Sequence, residues 1–393
     1  MSNDAAALRG NWSYPTKIRF GVGRIAELPA ACKELGFKRP LFVTDPGLAN
    51  LPMVQNAIAN LKAAGLPTAL YSDIRSNPVA KNVEDGIKVF RDGKHDGVIA
   101  FGGGSALDAA KTIAFMAGQK RPMWDFEDIG DNYLRADIAG IVPSIAIPTT
   151  SGTGSEVGRA SVVTNEETHT KKIIFHPLML PSIVIEDPEL TVGLPPKITA
   201  ATGMDALAHC LEAYCAPGYH PMADGIAIEG VRLVKNWLPV AVKDGKNLAA
   251  RANMMVAASM GATAFQKGLG AIHSLSHPVG AIYDTHHGLT NAVVMPYVLE
   301  FNRQAIEEKM TRLAAYIGLP NPGFKSVMDW VLALRKEIGI PHTLKDIGVG
   351  MEKLDLLSEM AAVDPTVGTN PIPIGVPELK KMFVASIEGR LAA

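Results

Sequence analysis

Four of the ten histidines in this chain of 393 residues, His273, His277, His286 and His287, crowd into fifteen positions of GAIHSLSHPVGAIYDTHHGLTNA. Upstream, in TGMDALAHCLEAY, Asp205 and His209 stand four apart among good helix formers, so both side chains project from one helical face a turn apart. A fold that uses these groups together must bring two well-separated segments into contact. Imidazoles and a carboxylate without a thiolate form a mixed nitrogen and oxygen donor set, suited to ferrous iron or zinc. The lack of a thiolate argues against a purely structural zinc site and for an ion that takes a further ligand.

The length suffices for about two domains, each able to bury its own core. With 47% hydrophobic and 20% charged residues the chain has the profile of a soluble globular protein. A net charge of −1 offers no electrostatic grip on nucleic acid or an anionic membrane. Apolar runs such as Met254 to Phe265 fall short of a membrane span, and MSNDAAALRGNW lacks the basic start and apolar core of a secretory signal. Three cysteines, Cys32, Cys210 and Cys215, are too few and odd in number for a disulfide framework, so a cytoplasmic protein is expected. Cys210 follows His209, but adjacent helical side chains diverge by about 100°, which makes it a core filler.

Ahead of the histidines the chain alternates. KIRF, PLFVTD (Pro40 to Asp45) and TALYSD read as strands, with helices predicted from about Met53 to Ala64 and from Val83 to Phe90. GVIAFGGGS (Gly97 to Ser105) reads as a buried strand running into glycines. Such alternation argues for a parallel sheet covered on both faces, whose ligands bind beyond the carboxyl ends of the strands. In FGGGSALDAAK, Gly102, Gly103 and Gly104 let backbone approach a ligand, and Ser105 is placed to cap a helix whose free amides suit a diphosphate. A second glycine loop, IPTTSGTGSEV, brings the hydroxyls of Thr149, Thr150, Thr153 and Ser155; two such loops at successive strand ends point to a nucleotide crevice. SVVTN and KKIIF are expected to form a hairpin, with Lys171 and Lys172 close to its start; either is long enough to reach a phosphate or ribose, the alternative being a solvated charge. After SIVIEDPEL, apolar spacing predicts helices through 231–242, 249–264 and 325–338, broken at LPNPGF and at DPTVGTNPIPIGVPEL. The expected division is an α/β dinucleotide-binding domain over 1–188 and an all-α metal-binding domain over 189–393.

Taken together, GGGSALDAAK, PTTSGTGSE, ATGMDALAH and GAIHSLSHPVGAIYDTHHG closely resemble the iron-activated, or group III, alcohol dehydrogenase family, in the family's order and over essentially the full length. The resemblance implies a Rossmann-like N-terminal domain and a helical C-terminal domain of dehydroquinate synthase-like architecture. It implies that Asp205, His209, His273 and His287 hold Fe2+, with Zn2+ or another divalent ion as the alternative. His286 stands where many members have proline, which leaves it a rival to His287, although the spacing from His273 matches His287. NAD(P) would lay its diphosphate on Gly102, Gly103, Gly104 and Ser105, with Thr149 and Thr150 on the adenine and ribose side and Lys171 near the nicotinamide ribose. Asn77, Asp108 and Thr153 are assigned to the cofactor as well. Asp45 matches the acid that ends the first strand in NAD-using members; a carboxylate there accepts from ribose hydroxyls and repels a 2′-phosphate, favouring NAD. His277 matches a histidine that does not bind metal and is the candidate for passing the alcohol proton toward solvent.

The activity so implied is metal-dependent, NAD-linked hydride transfer between a small primary alcohol or diol and its aldehyde. The rival readings are a zinc-dependent polyol (glycerol-type) dehydrogenase and a dehydroquinate synthase-like lyase. The lyase needs several basic residues near the metal, whereas AATGMDALAHCLEAY and GATAFQKGLGAIHS carry only Lys267. Phe265, Ala160 and Thr153 are expected to line the substrate pocket. A homodimer or larger homo-oligomer is expected, without nucleic-acid or membrane partners. His95, His169, His176, His220 and His342 fit no motif.

Overall fold

The computed structural model describes residues 10–12, 16–168 and 170–391, so His169 and residues 1–9 of the N-terminal segment lie outside the described residues. Two units are present, Met1–Thr150 with Gly154–Gly193, and Ser151–Thr153 with Leu194–Ala393. The first contains β1 (Gly10–Trp12), β2 (Lys17–Phe20), α1 (Leu28–Glu34), β3 (Leu41–Val43), α2 (Pro52–Ala63), β4 (Ala69–Tyr71), α3 (Ala80–Asp92), β5 (Val98–Gly102), α4 (Gly104–Met116), β6 (Ser144–Pro148), β7 (Ala160–Asn165), β8 (Thr170–Phe175) and β9 (Ile183–Glu186). Seven of these strands form one sheet in the order β1-β2-β9-β6-β5-β3-β4. Only β1 against β2 is antiparallel; the other pairs are parallel.

β5 (VIAFG), β6 (SIAIP) and β9 (IVIE) are buried at every position. Helices cover both faces of a parallel sheet, so its central strands need apolar side chains on both sides rather than in alternation. Leu28, Leu61, Phe42, Phe101, Ile145 and Ile183 belong to one core, with the Phe42 and Phe101 rings 5.3 Å apart. α4 is buried from Ala106 through Met116, its polar Asp108, Lys111 and Thr112 included. From β3 the chain winds outward to β4, and from β5 it winds the other way to β6. Ligands of open α/β sheets bind at such a reversal, and the loops that leave β3 and β5 there carry Asp45 and Gly102 to Gly104. β7 and β8 form the expected antiparallel hairpin, Val162 opposite Ile173.

The second unit is helical: α5 (Pro196–Cys215), α6 (Pro221–Lys243), α7 (Leu248–Ala264), α8 (Ala271–Tyr283), α9 (His287–Tyr316), α10 (Phe324–Glu337), α11 (Leu354–Ala362) and α12 (Val376–Glu388). α5 runs through its middle, packed on α6, α7 and α9 and buried along most of its length. α6 starts at Pro221, well ahead of the predicted 231, because the His220 ring accepts from Ala223 N at 3.3 Å and caps its first turn. The first unit extends to Gly193. Asp187 explains why: its Oδ1 accepts from Gly23 N (3.1 Å) and Glu189 N (3.1 Å) and its Oδ2 from Ile25 N (2.9 Å), tying the turn Pro188–Thr191 to the start of the sheet.

Candidate active site

The polar groups singled out in the second unit converge on Asp205. α5 carries Asp205 and His209 one turn apart, α8 carries His273 and His277 in the same relation, and α9 begins at His287. From Asp205 Oδ1, the Nε2 atoms of His287, His209 and His273 lie 3.6, 3.9 and 4.0 Å away. Donor atoms of Asp205, His273 and His287 all lie within 4.8 Å of one another, and the His209 ring stacks on His273 with centroids 4.7 Å apart. An ion with bonds of about 2.0–2.2 Å holds tetrahedral donors roughly 3.3–3.6 Å apart; the donor set therefore fits a divalent ion after a small contraction.

The protonation chemistry suits the same use. Burial pulls the His209 pKa down to about 4 against the opposing pull of Asp205, so the ring is neutral and offers a lone pair. A Cβ on Gly152 would meet Thr202 Cβ at 2.8 Å and Thr202 O at 2.9 Å, so only glycine lets that backbone come so near α5. At His273 burial opposes charge, yet Glu212, Asp205 and Asp364 outweigh it and hold the pKa above its ordinary value. His286 serves another purpose: it is the N-cap of α9, its Nδ1 accepting from Leu289 N at 3.4 Å. Phe265 stands edge-on to His209, centroids 5.1 Å apart.

Three groups behind the cluster were not singled out from sequence. Glu212 takes His273 Nδ1 on Oε2 (2.5 Å) and Ile272 N on Oε1 (2.6 Å), which leaves Nε2 as the lone-pair nitrogen of His273. Asp364 accepts from His277 Nδ1 on Oδ2 (2.8 Å), while its Oδ1 accepts from Thr366 N (2.9 Å) and Oγ1 (2.5 Å). Asn370 Oδ1 accepts from Ala271 N (3.2 Å) at the start of α8, and Thr369 Oγ1 donates to Leu269 O (2.7 Å). The segment expected only to break helices thus holds α8 at its start and, through His277, at its middle. Glu212 had a local signal, three residues after His209 on the same helix; Asp364 and Asn370 had none.

In the first unit the residues assigned to a cofactor take varied positions. Gly102 has φ +145°, and a Cβ there would meet Ala106 Cβ at 2.8 Å and Asp45 Oδ2 at 3.4 Å. Asp45 accepts from Leu48 N on Oδ1 at 3.0 Å, so its other oxygen faces the glycine loop. Gly103, not Ser105, is the N-cap of α4; Ser105 lies in the first turn and its hydroxyl donates to the Ser76 carbonyl. The cap expected of Ser105 is absent because the helix starts at Gly104, two residues before the start a Ser105 cap would set. Asp108 accepts from Ser155 Oγ (2.5 Å) and Val162 N (2.9 Å). Beside it the buried Lys111 donates to Ser155 O (3.0 Å) and Ala160 O (2.5 Å), so both carboxylate oxygens of Asp108 tie α4 to the second glycine loop and β7. Thr149 N donates to Gly102 O at 2.9 Å, and Thr150 Cγ2 would lie 3.3 Å from a Cβ on Gly103. Asn77 is half-buried ahead of α3, and Lys171 lies on β8 opposite Thr164, while Lys172 pairs with Glu127 at 2.8 Å. Thr153 belongs to the second unit.

Compared with known families, residues 15–188 match the iron-containing alcohol dehydrogenases and residues 199–387 match the C-terminal part of the same Fe-containing family. The chain belongs to the iron-containing alcohol dehydrogenase family. It is 38% identical over 385 residues to a 4-hydroxybutyrate dehydrogenase of Cupriavidus necator, covering 95% of this chain and 99% of that protein. Among solved structures, a 1,3-propanediol oxidoreductase superposes with a TM-score of 0.90 at 35% identity, over 94% of this chain and 97% of that one. A sulfoacetaldehyde reductase from Bifidobacterium kashiwanohense in complex with NAD+ does so with a TM-score of 0.86 at 30% identity, over 96% and 98%. The protein is accordingly an alcohol dehydrogenase of the iron- and NAD-using type, with the dehydroquinate synthase-like fold, and the polyol dehydrogenase and lyase readings are not favoured. Among the described residues no helix is long and apolar enough to cross a membrane.

Proposed function

We propose that the chain interconverts a short primary alcohol bearing a second polar group at its far end, such as a diol or hydroxy acid, with the corresponding aldehyde. The names of the relatives support that substrate class; the three imidazoles gathered within 4.0 Å of Asp205 Oδ1 carry the chemistry. Asp205, His209, His273 and His287 would hold the divalent ion. Such an ion acidifies an alcohol hydroxyl and polarises an aldehyde carbonyl, while NAD carries the hydride. Gly102, Gly103, Gly104 and Ser105 would receive the diphosphate at the positive end of α4, and Asp45 the adenosine ribose. Asn77, Thr149, Thr150, Thr153 and Lys171 are read as further cofactor contacts, and Asp108 as the group that holds the loop and α4 in place. His277, its Nδ1 engaged by Asp364, keeps Nε2 for the alcohol's proton. With three buried free cysteines and no membrane helix among the described residues, the protein is read as cytoplasmic, acting as a homo-oligomer.

The test is direct. Fe2+-reconstituted protein with NAD and, separately, 1,3-propanediol, 4-hydroxybutyrate, ethanol or glycerol is followed at the absorbance of the reduced cofactor. Reduction with the first two at higher kcat/KM than with ethanol is expected. Glycerol as the best substrate would restore the polyol reading, and no reduction with any alcohol would remove the proposal.

A further inference from the structure

The turn Phe265–Lys267 follows α7 and leads through Gly268 to α8. Phe265 at its head stands against His209; two residues on, the Lys267 side chain, 2% exposed, crosses to other helices. Its Nζ lies 2.5 Å from Asp224 Oδ1 on α6 and donates at 3.2 Å to Tyr214 O, near the end of α5. A helix end leaves carbonyls that need donors, so capping is the first reading of this lysine. Lys309 on α9 already fills that need: its Nζ donates to Tyr214 O (2.7 Å), Ala216 O (3.2 Å) and Cys215 O (3.4 Å). A second ammonium beside the first is unfavourable, since like charges repel; burial, followed by Lys267, holds the Lys309 pKa below its ordinary value. What Lys267 adds is a tie from the turn to α5 and α6. Gln266 bonds back to its own segment, Nε2 donating to Thr263 O at 2.8 Å. Beyond the turn, Gly268 has φ +136°, and a Cβ there would lie 2.5 Å from Thr369 Cβ. With Thr369 and Asn370 fixing the entry to α8, Lys267 governs the near side, where Phe265 stands.

We propose that Lys267 is a positioning residue for the alcohol pocket: anchored to Asp224 and Tyr214, it holds the turn so that the Phe265 ring stays against His209. This rests on the reading of His209 as an ion ligand and deepens it, for an apolar ring beside the ion is a surface on which an alcohol's carbon chain can lie. Such a contact is the same before and during hydride transfer, so its loss raises KM and leaves kcat nearly unchanged. A lysine that served only to close α5 would change stability and leave KM of the folded protein alone.

Fe2+-reconstituted variants are assayed with NAD and 1,3-propanediol. Lys267→Met combined with Asp224→Asn removes the tie without leaving a carboxylate unpaired. KM is expected to rise about 10-fold and kcat to change by less than about 2-fold, with iron content and NAD affinity as in the native chain. Lys267→Gln, shorter but still a donor, guards against loss of fold and is expected to raise KM about 3-fold. Phe265→Ala should also raise KM. Added to Phe265→Ala, the paired change should then raise KM by no more than about 2-fold, because residues acting through one contact are not additive. Native KM in either folded Lys267 variant, or a full further rise in the Phe265→Ala background, would leave Lys267 a helix cap and overturn the proposal while the ion site and the activity stand. If Phe265→Ala itself keeps the native KM, the pocket wall and the proposal fall together. No reduction of NAD by the native chain would remove the proposed function as well.

Discussion

At the scale of single residues, the chemistry of the site depends on what stands behind each imidazole. Glu212 holds the far nitrogen of His273, and contacts of this kind typically tune metal affinity 10–100-fold. Glu212→Gln keeps the shape but removes the charge; Fe2+ affinity measured on stripped protein is expected to fall within that range, with the far-UV circular dichroism unchanged. Asp364 has a depressed pKa: burial raises it, but His277 and Thr366 more than offset that. A carboxylate whose folded pKa lies below its unfolded value of about 3.9 adds stability above that pH and loses it as pH falls through the folded value. Asp364→Asn is thus expected to be less stable at pH 7 by roughly 1.5–3 kcal/mol. In urea unfolding the gap to the native chain should close below about pH 4; a gap that stays constant with pH would refute the ionised Asp364 carboxylate. Asp45→Gly removes the group expected to repel a 2′-phosphate, so the ratio of kcat/KM with NAD to that with NADP should fall, and an unchanged ratio would take Asp45 out of that role.

At the scale of elements, the approach of α9 to α5 decides whether His287 reaches Asp205. Gly288 makes that approach possible: a Cβ there would lie 2.4 Å from Ala201 O and 3.0 Å from Asp205 Cβ. Gly288→Ala must push the two helices apart, and overpacking of this sort costs about 1–3 kcal/mol. The expected result is a lowered thermal midpoint together with loss of bound iron by elemental analysis; a variant that keeps its full iron content would show that the crossing tolerates the methyl group. In the first unit, α4 plays the corresponding part, its buried Asp108 and Lys111 joining both glycine loops from one helix.

For the molecule as a whole, each unit has its own core, and the proposed ion donors all belong to the second. Stripping or mutating the ion site should therefore leave the sheet's nucleotide loops intact. His273→Ala is expected to abolish iron uptake and turnover while NAD affinity, measured by calorimetry or fluorescence, changes no more than a few-fold. A large loss of NAD affinity would mean that the two sites are coupled more tightly than their separate cores suggest.

Much of this protein could be read from local pattern alone. Alternating buried strands and helices, glycines after a strand, and Asp-x-x-x-His on a helix are periodicities of the backbone; they delivered the parallel sheet and the helical second half, and they singled out Asp205, His209 and His273, which the structure brings together. Tertiary packing decided the rest. Which of His286 and His287 faces Asp205 depends on where α9 begins, and His286 caps it. Asp108 and Ser105 turn to neighbouring segments because the sheet register sets those segments beside them. Asp364 meets His277 only because a distant turn is folded against α8. Spacing along a helix or strand is a local property of the chain; which distant group fills a buried hydrogen bond is settled only when the core closes around it.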